Sequence, residues 1–137
     1  MSFEQLVTGA VIVYPYLWKD EELRGETEGR KTRPCVISLR KKRPNKPDAL
    51  FLIPITTKRP LPHDVALEIP ETDKRLAKLA ADIPLWVIVS SMNYEELPGS
   101  YYLEPDPPIG QISRRFLQLI LEEIQRIYPK IAVTSRR

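Results

Sequence analysis

Two stretches decide how the chain reads: Arg33-Pro34-Cys35-Val36-Ile37-Ser38-Leu39 and Leu50-Phe51-Leu52-Ile53-Pro54-Ile55-Thr56. Both are short and rich in β-branched and apolar residues, the signature of strands rather than helices. Pro34 opens the first, where a missing backbone donor is tolerated. The second is apolar at nearly every position, so it predicts a strand buried on both faces. Pro54 marks an edge or a bulge near its end.

Outward from this pair, Val11-Ile12-Val13-Tyr14 after Gly9 reads as an earlier strand. Residues 18–32 form a long polar segment carrying Lys19, Asp20, Glu21, Glu22, Arg24, Glu26, Glu28, Arg30 and Lys31. A loop of that length is uncommon unless it is functional or mobile. Arg40, Lys41, Lys42, Arg43 and Lys46 predict a basic turn between the two deciding strands. Residues 64–69 alternate and read as a fourth strand, residues 71–81 as one or two helical turns, residues 85–89 as a fifth strand and residues 101–103 as a short sixth.

Residues 113–127 give the clearest helix. Ile112, Phe116, Leu119, Ile120, Ile124 and Ile127 recur at three- and four-residue spacing as one apolar stripe, either core or a dimer seam. Pro129 ends it, and residues 129–137 read as a frayed tail. Short strands, polar loops and one closing amphipathic helix predict a single domain over residues 1–137. Its class is mainly β (α+β), a small, partly open SH3-like barrel with a C-terminal helix.

Composition bounds the rest. The chain has 137 residues, a length that suits one domain able to fold without a metal or disulfide. Its 14 prolines fall mainly between apolar runs and punctuate short elements. A net charge of +3 permits a nucleic-acid partner without requiring one. The single cysteine, Cys35, forms no internal disulfide and reads as a core residue in a reducing compartment. Met1-Ser2-Phe3-Glu4-Gln5 lacks the charged start of a signal peptide, and the apolar runs fall far short of the ~20 residues of a membrane helix. A cytoplasmic protein without a membrane partner is the expectation.

Several chemistries have no basis in the sequence. There is no Gly-rich phosphate loop, no His-Glu-x-x-His and no nucleophile elbow. One cysteine and one histidine do not make a structural zinc site, and the lone His63 excludes a two-histidine ribonuclease mechanism. Catalysis, if present, rests on Arg, Lys, Thr, Tyr or carboxylates.

Three pieces in order carry a resemblance: Gly9-Ala10-Val11-Ile12-Val13, then Arg33-Pro34-Cys35-Val36-Ile37-Ser38, then Pro54-Ile55-Thr56-Thr57. Together they resemble the PemK/MazF family of type II toxin–antitoxin toxins, over roughly residues 9–69. Gly25-Glu26-Thr27-Glu28-Gly29 is similar to a glycine–glutamate run the family carries before Arg-Pro. After Ile69, Ala81-Asp82-Ile83-Pro84-Leu85-Trp86 and Ser91-Met92-Asn93 replace the family's Asp-Gln signature, the pattern of a divergent branch. The resemblance implies an SH3-like barrel, a homodimer, and cleavage of single-stranded RNA without metal or other cofactor. It also implies growth inhibition and an antitoxin that blocks the site. Arg33 and Thr56 match the family's catalytic arginine and threonine.

Chemistry suits those residues. Metal-free RNA cleavage needs a base for the 2′-hydroxyl proton, a cation on the phosphate oxygens and an acid for the leaving 5′-oxygen. Arg33 offers a planar charged fork for phosphate, and a guanidinium is a poor base, so its role is stabilisation, with proton donation open. Thr56 would orient the phosphate. Glu26, Glu28 or His63 would be the base. Thr57, Arg30, Lys31, Lys58 and Arg59 would contact RNA, with Arg24, Tyr14, Tyr16 and Trp18 near the same loop. The plainer readings are a surface charge at Arg33, strand-end hydroxyls at Thr56 and Thr57, an exposed loop at His63, core packing at Trp86 and a solvated cluster at residues 41–46. A non-catalytic SH3-like module binding nucleic acid or a protein through the same face is the alternative.

Overall fold

A computed structural model describes residues 3–19, 21, 25, 32–97 and 107–135. Its strands are β1 (Ala10–Tyr14), β2 (Arg33–Arg43), β3 (Lys46–Thr56), β4 (Ala66–Glu68), β5 (Trp86–Ile88), β6 (Ser91–Glu96), β7 (Gly110–Gln111) and β8 (Ala132–Ser135). Its helices, among the described residues, are α1 (Glu71–Leu76) and α2 (Arg114–Ile127), the latter followed by a 3₁₀ turn (Tyr128–Lys130). The expected strand at residues 101–103 lies outside the described residues.

The β2–β3 hairpin organises everything else. Cys35, Val36 and Ile37 pair with Pro54, Ile53 and Leu52, and Arg43 closes the hairpin against Lys46. Pro44 and Asn45 make the two-residue turn, with Asn45 at φ 58, the left-handed position that follows proline in a type II turn. The basic turn expected at Arg40–Arg43 is therefore corrected: those residues are strand, and Arg40 pins the N-terminal segment. Its guanidinium donates to Asp48 Oδ2 at 3.1 Å and to the carbonyls of Phe3 and Leu6.

The far edge of β3 is shared. Its residues Ala49–Leu52 pair with β6, and Ile55 and Thr56 pair with β5. Pro54 falls in the gap between the two partners, where a missing donor costs the ladder nothing. From there the order runs β4-β5-β3-β2-β1-β7, with β6 and β8 branching from β3. All pairings are antiparallel except β6 with β8.

Both faces of the sheet are buried, as the apolar run of β3 requires. One face carries Val11, Val36, Ile53, Ile55 and Val87 under Phe116, Ile120 and Ile127 of α2. The other carries Ile12, Tyr14, Cys35, Ile37, Leu50 and Leu52. This second face is concave. Tyr14 on β1 and Glu95 on β6 are separated by three strand spacings of about 4.8 Å each, yet the Tyr14 hydroxyl donates to the Glu95 carboxylate. The architecture is mainly β within an α+β class: a curled, SH3-like half-barrel with one helix packed on its outside.

Two expectations change. Leu119, placed on the helix stripe, is 45% exposed, while Leu117 packs against the core instead. The tail expected to fray past Pro129 contains β8, whose Ala132–Ser135 pair in parallel with Ser91–Tyr94, and Thr134 is buried. The proline turn redirects the chain onto an open edge of β6 rather than releasing it.

Helix α2 starts at a strong cap. The Ser113 hydroxyl accepts the Phe116 N–H at 3.1 Å, and buried Asp73 of α1 accepts the Ser113 N–H at 2.6 Å. Gly110 makes this junction possible, because a Cβ there would lie 2.7 Å from the Ala77 backbone. Ser113→Ala is expected to cost about 1 kcal/mol, read as a lower urea midpoint at unchanged slope.

Candidate functional site

Arg33 begins β2 on the concave face and pairs with Tyr14 of β1. On its other side the register Cys35–Pro54, carried two residues further, sets it across from Thr56. Residues paired across an antiparallel ladder share a face, so Arg33 and Thr56 project to the same side.

Trp18 completes the surroundings of Arg33. The guanidinium carbon lies 5.3 Å from the Trp18 ring centre, a cation–π arrangement, and Tyr16 meets Trp18 edge-on at 5.1 Å. The Trp18 N–H donates to Glu21 at 3.0 Å. One residue earlier, Asn93 of β6 grips the backbone of Leu17 twice, accepting its N–H at 2.9 Å and donating to its carbonyl at 2.7 Å. Tyr16 is tied to Ser91 through their hydroxyls. The concave face thus holds buried polar side chains that fasten the chain entering the long polar segment.

The guanidinium itself is left with capacity to bind. Among the described residues Arg33 Nε is buried without a hydrogen-bond partner, and no carboxylate forms an ion pair with Arg33. A buried donor left unmet is costly and calls for an acceptor. Thr56 is also poised: its Oγ1 accepts the Lys58 N–H at 3.1 Å, which leaves the hydroxyl proton to donate elsewhere.

No protein-family model and no curated protein matches the chain.

The remaining candidates divide by position. Thr57, Lys58 and Arg59 are exposed, immediately past Thr56. His63 is 76% exposed and sits 3.6 Å from Asp64, in the loop that follows. Glu26, Glu28, Arg30 and Lys31 lie outside the described residues, as does Arg24. Cys35, two residues along β2 from Arg33, is fully buried, with its thiol directed to the Arg33 carbonyl at 3.6 Å. Among the described residues no group of histidine, cysteine and carboxylate side chains is placed to hold a metal ion, and no helix is long and apolar enough to cross a membrane.

The basic hairpin is partly committed to structure. Arg43 donates to Glu96 at 2.6 Å, a bond that raises its affinity for its proton. Burial and then Glu96 push the Tyr94 phenol up, which keeps it a donor to the same carboxylate at 2.9 Å. Lys41, Lys42 and Lys46 remain exposed.

Sequence reasoning named Asn93 only as part of Ser91-Met92-Asn93 and missed its hold on Leu17, and it misread Trp86. Trp86 belongs to neither apolar cluster. It is half-buried and pairs with Thr56, on the face of Arg33. Its signal was parity: Val87 and Leu85 point into the core, so the residue between them points the other way.

Proposed function

We propose that this chain is a metal-independent endoribonuclease of the PemK/MazF type, the toxin of a type II toxin–antitoxin pair, acting on single-stranded RNA in the cytoplasm as a homodimer held in check by an antitoxin. The observation that carries the reading is the Arg33 guanidinium, laid against Trp18 and in register with Thr56, with a buried Nε that has no acceptor among the described residues.

The roles follow from the groups. A scissile phosphate accepts from Arg33, whose fork matches two oxygens and whose charge stabilises the phosphorane-like transition state. The Thr56 hydroxyl donates to a phosphate oxygen and fixes its orientation. The 2′-oxygen then bonds to phosphorus as the bond to the 5′-oxygen breaks. A base takes the 2′-hydroxyl proton, and an acid supplies one to the leaving oxygen. Glu26 and Glu28, near in sequence, are the proposed bases, and Thr57, Arg30, Lys31, Lys58 and Arg59 the flanking contacts.

One observation favours a second reading. Among the described residues no hydrogen bond or ion pair joins Arg33 to a histidine or carboxylate that would serve as base. The same face would then bind nucleic acid, or a protein, without chemistry.

The test is incubation of purified protein with labelled single-stranded RNA in EDTA. Site-specific cleavage supports the nuclease; salt-sensitive binding with no cleavage of any RNA supports the module. Thr56→Val removes one hydroxyl bond to a charged oxygen and is expected to slow cleavage about 10- to 100-fold; it also removes the acceptor of the exposed Lys58 N–H, which water replaces, so the melting temperature should fall little.

A further inference from the structure

The register that joins Arg33 to Thr56 does not stop there. Thr56 pairs with Trp86 of β5, and Trp86 pairs with Glu68 of β4. With Tyr14 beyond Arg33, five residues form one lateral row across five strands, Tyr14, Arg33, Thr56, Trp86 and Glu68. Alternation puts all five on one face, while Ile55, Val87 and Leu67 fill the core on the other. Trp86 is half-buried and belongs to neither apolar cluster. Glu68 is exposed and, among the described residues, makes no hydrogen bond or ion pair.

We infer that Trp86 and Glu68 form a nucleobase subsite beside the Arg33–Thr56 phosphate position, and that it takes a base bearing an exocyclic amino group, cytosine foremost. The inference rests on the reading of this face as a site for single-stranded RNA.

The spacing and chemistry both fit. Trp86 lies two strand spacings from Arg33, about 10 Å at the backbone, so a base stacks there while a neighbouring phosphate meets the guanidinium. Aromatic rings are the usual platform for unpaired bases and accept any of them by their faces. Discrimination needs an edge contact. A carboxylate only accepts, so Glu68 pairs with the cytosine N4 amino group. Uracil presents O4 at the same place, an acceptor against an acceptor. An unpaired, exposed carboxylate on a face otherwise suited to phosphate repels the RNA backbone, and its presence there makes sense as a reader of base donors.

The experiment measures binding, by fluorescence anisotropy, of 2′-O-methylated oligo(C) and oligo(U), which resist cleavage. Wild type is expected to prefer oligo(C) about 10-fold. Glu68→Gln presents a donor as well as an acceptor, so the preference should fall to within about 2- to 3-fold. Trp86→Leu should weaken both oligomers about 10-fold, and Trp86→Phe, which keeps a ring, should restore most of that loss. Arg33→Ala should weaken both and leave the preference intact. Equal binding of the two oligomers by wild type, an unchanged preference in Glu68→Gln, or wild-type binding by Trp86→Leu overturns the subsite while leaving RNA binding standing. Failure of wild type to bind either oligomer overturns the subsite together with the RNA reading, and leaves a protein as the occupant of the face. An intact preference with no cleavage of unmodified RNA sustains the subsite and removes the nuclease.

Discussion

Arg33→Ala is expected to lower RNA cleavage by about 10²- to 10³-fold and to leave the protein folded. The two halves of that result have one cause. Arg33 carries a buried Nε with no partner among the described residues, so the native state bears the desolvation of a donor that none of them satisfies, a burden of about 1–3 kcal/mol. Against it stands the contact with Trp18, worth about 0.5–2 kcal/mol. Truncation removes both, and the melting temperature should move little in either direction. The residue is poorly spent on stability and well placed for a ligand. Arg33→Lys separates charge from shape. A lysine keeps the positive charge but lacks the planar fork, so its cleavage should stay closer to that of alanine than to wild type. Cleavage of labelled RNA in EDTA, run beside thermal melts, checks all three proteins. Activity of Arg33→Ala within about threefold of wild type would place the chemistry elsewhere.

The elements that were legible are those whose pattern is local. β2 and β3 announce themselves by β-branched runs, and α2 by its stripe. The order Arg33, then Thr56, is visible as sequence motifs before any pairing is known. The elements that were not legible depend on what lies across from them. β6 contains Ser91, Asn93, Glu95 and Glu96, a polar run that suggests no element until its partners are seen. Asn93 and Glu95 are completely buried because the concave face supplies polar partners from Tyr14 and Leu17. β8 is four residues after a proline, and nothing in them names the edge they join. The row through Trp86 and Glu68 is a matter of register across three separate ladders. Each residue has the right parity in its own strand, but only the pairing of β3 with β5 and of β5 with β4 sets them beside Thr56. Parity is written in the sequence; lateral neighbours are not.

Asn93→Ala is the substitution in which stability and site should fail together. Asn93 is fully buried, and its amide satisfies both the N–H and the carbonyl of Leu17. Removing it strands two backbone groups where water has no ready access. At about 1–3 kcal/mol for each unmet group, the loss should reach about 3 kcal/mol, a fall of roughly 10 °C in melting temperature for a chain of this size. The consequence for function is more specific than general unfolding. Leu17 is the residue before Trp18, and Trp18 is what lies against the Arg33 guanidinium. Freed from Asn93, the backbone at Leu17 no longer fixes the ring, and Arg33 loses the wall that orients it. Measured well below its melting temperature, Asn93→Ala should therefore bind single-stranded RNA more weakly than a variant of similar stability loss made on the buried face of α2, such as Ile120→Ala at about 2–5 kcal/mol. Asn93→Asp sharpens the comparison. It retains an acceptor for the Leu17 N–H but sets a carboxylate oxygen against the Leu17 carbonyl, so it should be no more stable than alanine. If Asn93→Ala and the α2 variant bind RNA equally, the amide is a structural tie alone and Trp18 takes its place without it.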